Sequence, residues 1–155
     1  MKIRSSMAVI AAITFGALTL APTASAEPEG HNQRFIVLET STADNAVPIV
    51  IATGPVHARG TDLVISDTKD KFVFANGALI VLHQAKHSKD TFDPVTCYGT
   101  HSESGTYQVA RGIGAYTGAH GRGTYTVKAE FVGCSETQPP DLLSLRIDAS
   151  GPLWL

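Results

Sequence analysis

The sequence is poor in the features that mark several large functional classes. Only 17% of its residues are charged, with 12 Lys and Arg against 14 Asp and Glu. A nucleic-acid partner needs clustered Lys and Arg to replace phosphate counterions, so that class is not expected. The same balance gives no electrostatic reason to bind an anionic membrane. There are two cysteines, Cys97 and Cys134, and no Cys-x-x-Cys pair, which argues against a structural zinc site. No Gly-x-Gly-x-x-Gly occurs, no glycine loop runs into Gly-Lys-Ser/Thr, and no serine sits in a Gly-x-Ser-x-Gly setting. No cofactor is therefore assigned, and no catalytic residue stands out. Beyond the first 26 residues no stretch of ten or more shows helical periodicity.

What is present begins with an export signal. Lys2 and Arg4 give a short positive start, and Met7 to Ala21 is almost wholly apolar and uncharged. Pro22 breaks the run, and Ala24-Ser25-Ala26 offers the small side chains a signal peptidase accepts. The run is short of the roughly 20 residues that span a bilayer. Cleavage after about Ala26 is expected, leaving a secreted, extracytoplasmic chain with no integral membrane segment. That chain loses Lys2 and Arg4, which widens the excess of acidic over basic residues from two to four. It is long enough for one domain. In an oxidising compartment Cys97 and Cys134 are expected to form one disulfide, with two free thiols as the alternative.

Residues 27–33 are polar, contain Pro28 and Gly30, and read as a flexible tail. Residues 34–155 have the punctuation of an all-β domain. Tyr125, Val127, Ala129 and Phe131 alternate with Thr124, Thr126, Lys128 and Glu130, and Leu143 to Ala149 repeats the pattern. Tyr107 and Val109 share one face of a shorter strand. Asn76-Gly77 separates Lys71–Phe74 from Ala78–Lys86 and favours a tight hairpin turn. Phe35–Glu39, Val47–Thr53, Val56–Ile65 and Val95–Ser102 complete about eight strands with short connections, which predicts an antiparallel barrel or sandwich. Closure into a barrel would remove exposed edges.

Arg111 to Gly123, RGIGAYTGAHGRG, is the most unusual segment. A strand follows it, so no helix N-terminus is available to hold phosphate. The glycines are expected to form a tight connection, with Tyr116 packing back as a plug. The run Gly112 to Tyr125 resembles the glycine-rich turn of the allene oxide cyclase-like and dirigent-like barrels. Asp70 to His83, DKFVFANGALIVLH, is similar to the strand–turn–strand of bacterial secreted members of that group. Cys97, upstream of Gly105-Thr106-Tyr107, also fits. The resemblance covers roughly Gly54 to Cys134. It implies a single antiparallel eight-stranded closed β-barrel with an apolar lumen. It also implies neighbours that cyclise fatty-acid epoxides or polyketides, or steer radical coupling. No catalytic residue of those enzymes matches a position here.

The aromatics Phe35, Phe72, Phe74, Tyr107, Tyr125 and Phe131 are the candidates to line a lumen, either as core filling or as the wall of a pocket. His83 continues the Leu79, Val81 face and is the histidine expected inside. His83 and His87 stand four apart, about 13 Å along a strand at ~3.3 Å per residue, too far to share a metal ion. Among carboxylates, Glu39 is the one whose alternation points inward. Asp93 and Glu103 stand beside turn residues, and Glu130 and Asp148 fall on wet faces. The expected function is the binding of a small hydrophobic molecule in the lumen, fixed by a few polar groups. The alternatives are a cyclase or isomerase acting on a polyunsaturated hydrophobic substrate through shape and desolvation, and a non-enzymatic cell-surface interaction module.

Overall fold

Alternation of apolar and polar side chains carries almost every strand. The computed structural model describes residues 30–43, 46–135 and 138–155. The expected export signal at 1–26 lies outside them. Eight strands follow in order: β1 (His31–Glu39), β2 (Ile49–Thr53), β3 (Ala58–Ser66), β4 (Lys69–Phe74), β5 (Gly77–Asp93), β6 (Tyr98–Gly114), β7 (His120–Val132) and β8 (Leu142–Trp154). Each pairs antiparallel with the next, and β8 returns to β1, so the sheet closes as a barrel in chain order. The described residues contain no helix.

Closure fixes which face of each strand turns inward. Phe35 and Val37 of β1, Val50 and Ala52 of β2, Leu79 and Val81 of β5, and Tyr125 and Val127 of β7 meet in one buried core. Thr124, Thr126, Lys128 and Glu130 stand outside, as their alternation predicts. An eight-stranded barrel is only wide enough for its own side chains, so large residues need small neighbours. Four glycines supply that room, each directly opposite an aromatic residue on the adjoining strand. The pairs are Gly60 with Phe74, Gly99 with Phe131, Gly105 with Tyr125, and Gly123 with Tyr107. A Cβ at Gly105 would stand 2.8 Å from Tyr125 Cε1, and one at Gly123 2.6 Å from Tyr107 Cε1. The aromatic rings cover the gaps left by the glycines.

The two ends of the barrel differ. At the end holding the β4–β5 and β6–β7 turns, Tyr116 packs edge-on against Phe74 at 5.8 Å and closes the bore. Gln33, with no exposed surface, helps to seal the same end. Its amide nitrogen donates to the carbonyls of Thr53 and Val56 at 3.1 Å, and its Oε1 accepts from the Val56 backbone at 2.8 Å. At the opposite end, the mouth, the β5–β6 hairpin runs well past the rest. β4 pairs with β5 only as far as Leu82, whereas β6 accompanies β5 to Asp93. Register shifts at Ile80/Val81 and Ala85/His87 mark two bulges in this hairpin, which bend and twist it. A disulfide between Cys97 and Cys134 ties its tip to the segment after β7.

Three expectations change here. The expected strand Val95–Ser102 starts only at Tyr98, with Val95 to Cys97 in the β5–β6 turn. From Tyr98 it runs on through the short strand at Tyr107 as one continuous β6, because Gly105 makes room for a ring instead of turning the chain. In the glycine-rich stretch only Ala115 to Gly118 turns between strands, while Gly112 and Gly114 end β6, and Gly121 and Gly123 belong to β7. Finally, β1 begins at His31, within the segment read as tail, since Gln33 is drawn into the sealed end.

Candidate functional site

Five consecutive strands, β3 to β7, each bring a polar side chain on their inward face near the mouth into an otherwise apolar lumen. β3 brings Asp62, β4 Asp70, β5 His83, β6 Glu103 and β7 Tyr125. These surround a cavity of about 80 Å³, walled by Phe35, Phe72 and Tyr107 and by the aliphatic Val37, Val81, Val127 and Ile147. Phe35 meets Phe72 at 5.3 Å and Tyr107 at 6.1 Å between ring centres, so three aromatics form one continuous wall.

Asp62 is the chemically distinct member. It is 4% exposed, and its Oδ1 has no hydrogen-bond partner. Burial, with help from the nearby charges of Asp70 and Glu39, pushes its carboxyl up to about 7. Asp70 is better served. Its Oδ2 lies 3.2 Å from His83 Nε2, and the imidazole pulls its carboxyl part of the way back from the rise that burial causes. On the other wall, Tyr125 donates its hydroxyl to Glu103 Oε1 at 2.6 Å. Burial first, and then the Glu103 carboxylate, push the Tyr125 hydroxyl above its ordinary value. Tyr107 rises to about 12 through burial alone. His83 stands edge-on to Tyr125 at 5.8 Å, which brings the two walls together. Toward the mouth, His101 Nδ1 lies 2.7 Å from Asp90, and its Nε2 lies 3.9 Å from Glu103.

Of the seven residues expected in the lumen, Phe35, Phe72, His83, Tyr107 and Tyr125 line this cavity. Phe74 packs against the Tyr116 plug at the sealed end, and Phe131 stacks on Phe92 at 6.4 Å near the tip of the long hairpin. Sequence reasoning missed Asp62 and Asp70 and placed Glu103 at a turn. Glu39 lies close enough to raise Asp62 but is not part of the lining. Gly60 next to Asp62, and Gly105 next to Glu103, were the available signals, because a strand glycine opposite an aromatic marks the inward face. Asp148 is on the outer face, as its alternation predicts, where Arg146 and Arg34 hold its carboxyl below the ordinary range.

His87 is exposed and contributes nothing to the cavity. Among the described residues no group of three or more His, Cys, Asp or Glu is placed to hold a metal ion. A second, open depression of about 1090 Å³ passes Leu82, Gln84, Gln108 and Arg122, shares His83 and Tyr107 with the cavity, and has no Asp or Glu in its lining. No family model matches the chain, and neither a curated protein nor a solved structure matches it.

Proposed function

We propose that this protein is an exported binding barrel that takes a compact polar group of a small, largely hydrophobic molecule into its mouth-side cavity. The single observation that carries this reading is Asp62 Oδ1, buried and without a partner in a cavity large enough to admit a ligand atom. An unsatisfied buried polar atom destabilises a fold by roughly 1–3 kcal/mol, and a ligand donor recovers that loss. Whole-ligand pockets run to about 300–1,000 Å³, so at 80 Å³ the cavity holds part of a molecule while the remainder extends toward the mouth. The disulfide is consistent with an extracytoplasmic location. Kinship with the allene oxide cyclase-like barrels is part of the same proposal, supported by the glycine-rich turn and by eight-stranded antiparallel closure.

A cavity-filling variant tests the binding reading. Ala149 lines the cavity. Native mass spectrometry of protein isolated from its own culture medium, followed by organic extraction, is expected to detect a small molecule with the parent chain. Ala149→Leu should lose it while keeping the parent's circular dichroism. Repeated absence of any copurifying molecule from the parent chain counts against the reading.

A second reading, an isomerase or cyclase, is favoured by the His83–Asp70 pair beside an Asp62 that titrates near neutrality. In that case one carboxyl gives a proton while the imidazole takes another. Turnover that falls at least tenfold in both His83→Gln and Asp62→Asn would separate catalysis from simple binding.

A further inference from the structure

The charge around the cavity is one-sided. Asp62, Asp70 and Glu103 line it, whereas no lysine or arginine does. Glu39 adds a further negative group within electrostatic reach of Asp62. Two of the lining acids are already satisfied, Asp70 by His83 and Glu103 by Tyr125. Asp62 Oδ1 remains, buried and unpartnered. A carboxylate or phosphate group entering here would meet like charge, and an ether or carbonyl would be served only by the protonated Asp62 that prevails below about pH 7. The ionised carboxylate above that pH takes a donor, and a positively charged donor gains most from the surrounding acids. The aromatic lining adds to this preference, since Phe72, the cross-strand neighbour of Asp62, stands with Phe35 and Tyr107 around the cavity, and aromatic rings attract organic cations through their quadrupoles.

The path outward is apolar. Along β8 the inward residues run Ile147, Leu145, Leu143, and along β7 they run Val127, Ala129, Phe131, in matching register. Four residues of strand carry this surface about 13 Å from the cavity toward the mouth, at ~3.3 Å each. It ends beside the Phe92–Phe131 stack, where Phe92 is half exposed. Resting on the lumen-binding reading above, we infer that the ligand class is an amphiphilic organic amine. Its protonated primary, secondary or tertiary ammonium group donates an N–H to Asp62 Oδ1, and its hydrocarbon tail lies along the inner faces of β7 and β8.

Hexylamine and hexanol, matched in length and differing in charge, test this. Backbone amide shifts of the purified protein are followed during titration with each at pH 8. There the Asp62 carboxyl is largely ionised and an aliphatic amine keeps its proton. Hexylamine should bind at least tenfold more tightly than hexanol, with shifts concentrated at Asp62, Tyr107 and Ile147. Asp62→Asn should lower hexylamine affinity at least tenfold and leave hexanol unchanged. Ala149→Leu, with dispersed amide signals confirming its fold, should abolish both. Equal affinity for the two ligands, or an amine preference retained in Asp62→Asn, overturns the amine assignment while leaving lumen binding intact. Shifts from neither ligand overturn both.

Discussion

Asp62 carries its carboxyl at about 7 in the folded chain, against an ordinary value of 3.8. Between those limits the native state holds a proton that the unfolded chain has released. Stability therefore falls as pH rises from about 4 to about 7, and this contribution levels off above that. Three units correspond to a penalty on the order of 4 kcal/mol at alkaline pH. Asp62→Asn removes the penalty but leaves amide hydrogens to satisfy, so a net gain of roughly 1–3 kcal/mol is expected at pH 8 and none at pH 4. Urea unfolding at the two pH values measures the difference. A variant that gains equally at both would show that ionisation of Asp62 is not what destabilises the parent. Burying an acid at this expense, in a lumen whose other acids are paired, is what a binding group requires and a purely structural core does not.

The β6–β7 connection and the glycine–aromatic pairs show how elements of this barrel are fitted together. Gly114 has φ 68° and Gly118 φ 95°, a region open to glycine at little steric cost, and between them Tyr116 folds back over the bore. Gly112 sits beneath that turn so closely that a Cβ would overlap the Tyr116 carbonyl. Gly112→Ala is accordingly expected to displace the plug and destabilise the barrel by about 1–3 kcal/mol. Loss of the upfield-shifted signals that the Phe74–Tyr116 contact produces would accompany it. If Gly112→Ala unfolds at the same denaturant concentration as the parent, the plug contributes little to closure. The long hairpin is built differently. Beyond Leu82 its β5 edge has no strand partner on the β4 side, and Lys86, Lys89 and a bulge guard that edge against pairing with other chains.

At the scale of the whole molecule, closure of the sheet and the Cys97–Cys134 bridge act together. The bridge joins residues 37 apart in sequence. In the chain-entropy account a loop of that length stabilises the fold by roughly 3–4 kcal/mol. The bridge also anchors the protruding hairpin, whose β5 residues from Gln84 to Asp93 are exposed throughout. The Cys97→Ala/Cys134→Ala double variant should lose about that much stability in chemical denaturation. Its hydrogen exchange should quicken first at Tyr98–Ser102, with the β1–β2–β3 side keeping its protection. Uniform acceleration around the barrel would mean that the bridge supports closure itself and not the hairpin.

The sequence by itself determined most of the strands, the pairing of its two cysteines, most of the aromatic wall and the presence of a tight β4–β5 hairpin, whose turn is Ala75-Asn76 with Gly77 already paired to Phe74, one residue earlier than expected. All of these depend on local alternation, on glycine-bearing turns, or on there being one partner to choose. It placed His83 inside because Leu79, Val81 and His83 share a face of β5. It could not place Asp62, because Leu63 and Ile65 on the same strand are the more hydrophobic residues, yet both are exposed. Only the register of β3 against β4, with Gly60 opposite Phe74 and Asp62 opposite Phe72, turns the smaller face inward. Two large rings on β4 need that space, and the acid is carried in with it. Tertiary closure likewise decided that Glu103 faces the lumen and that Gln33 seals one end. Inward and outward are properties of a closed sheet, and no single strand contains them.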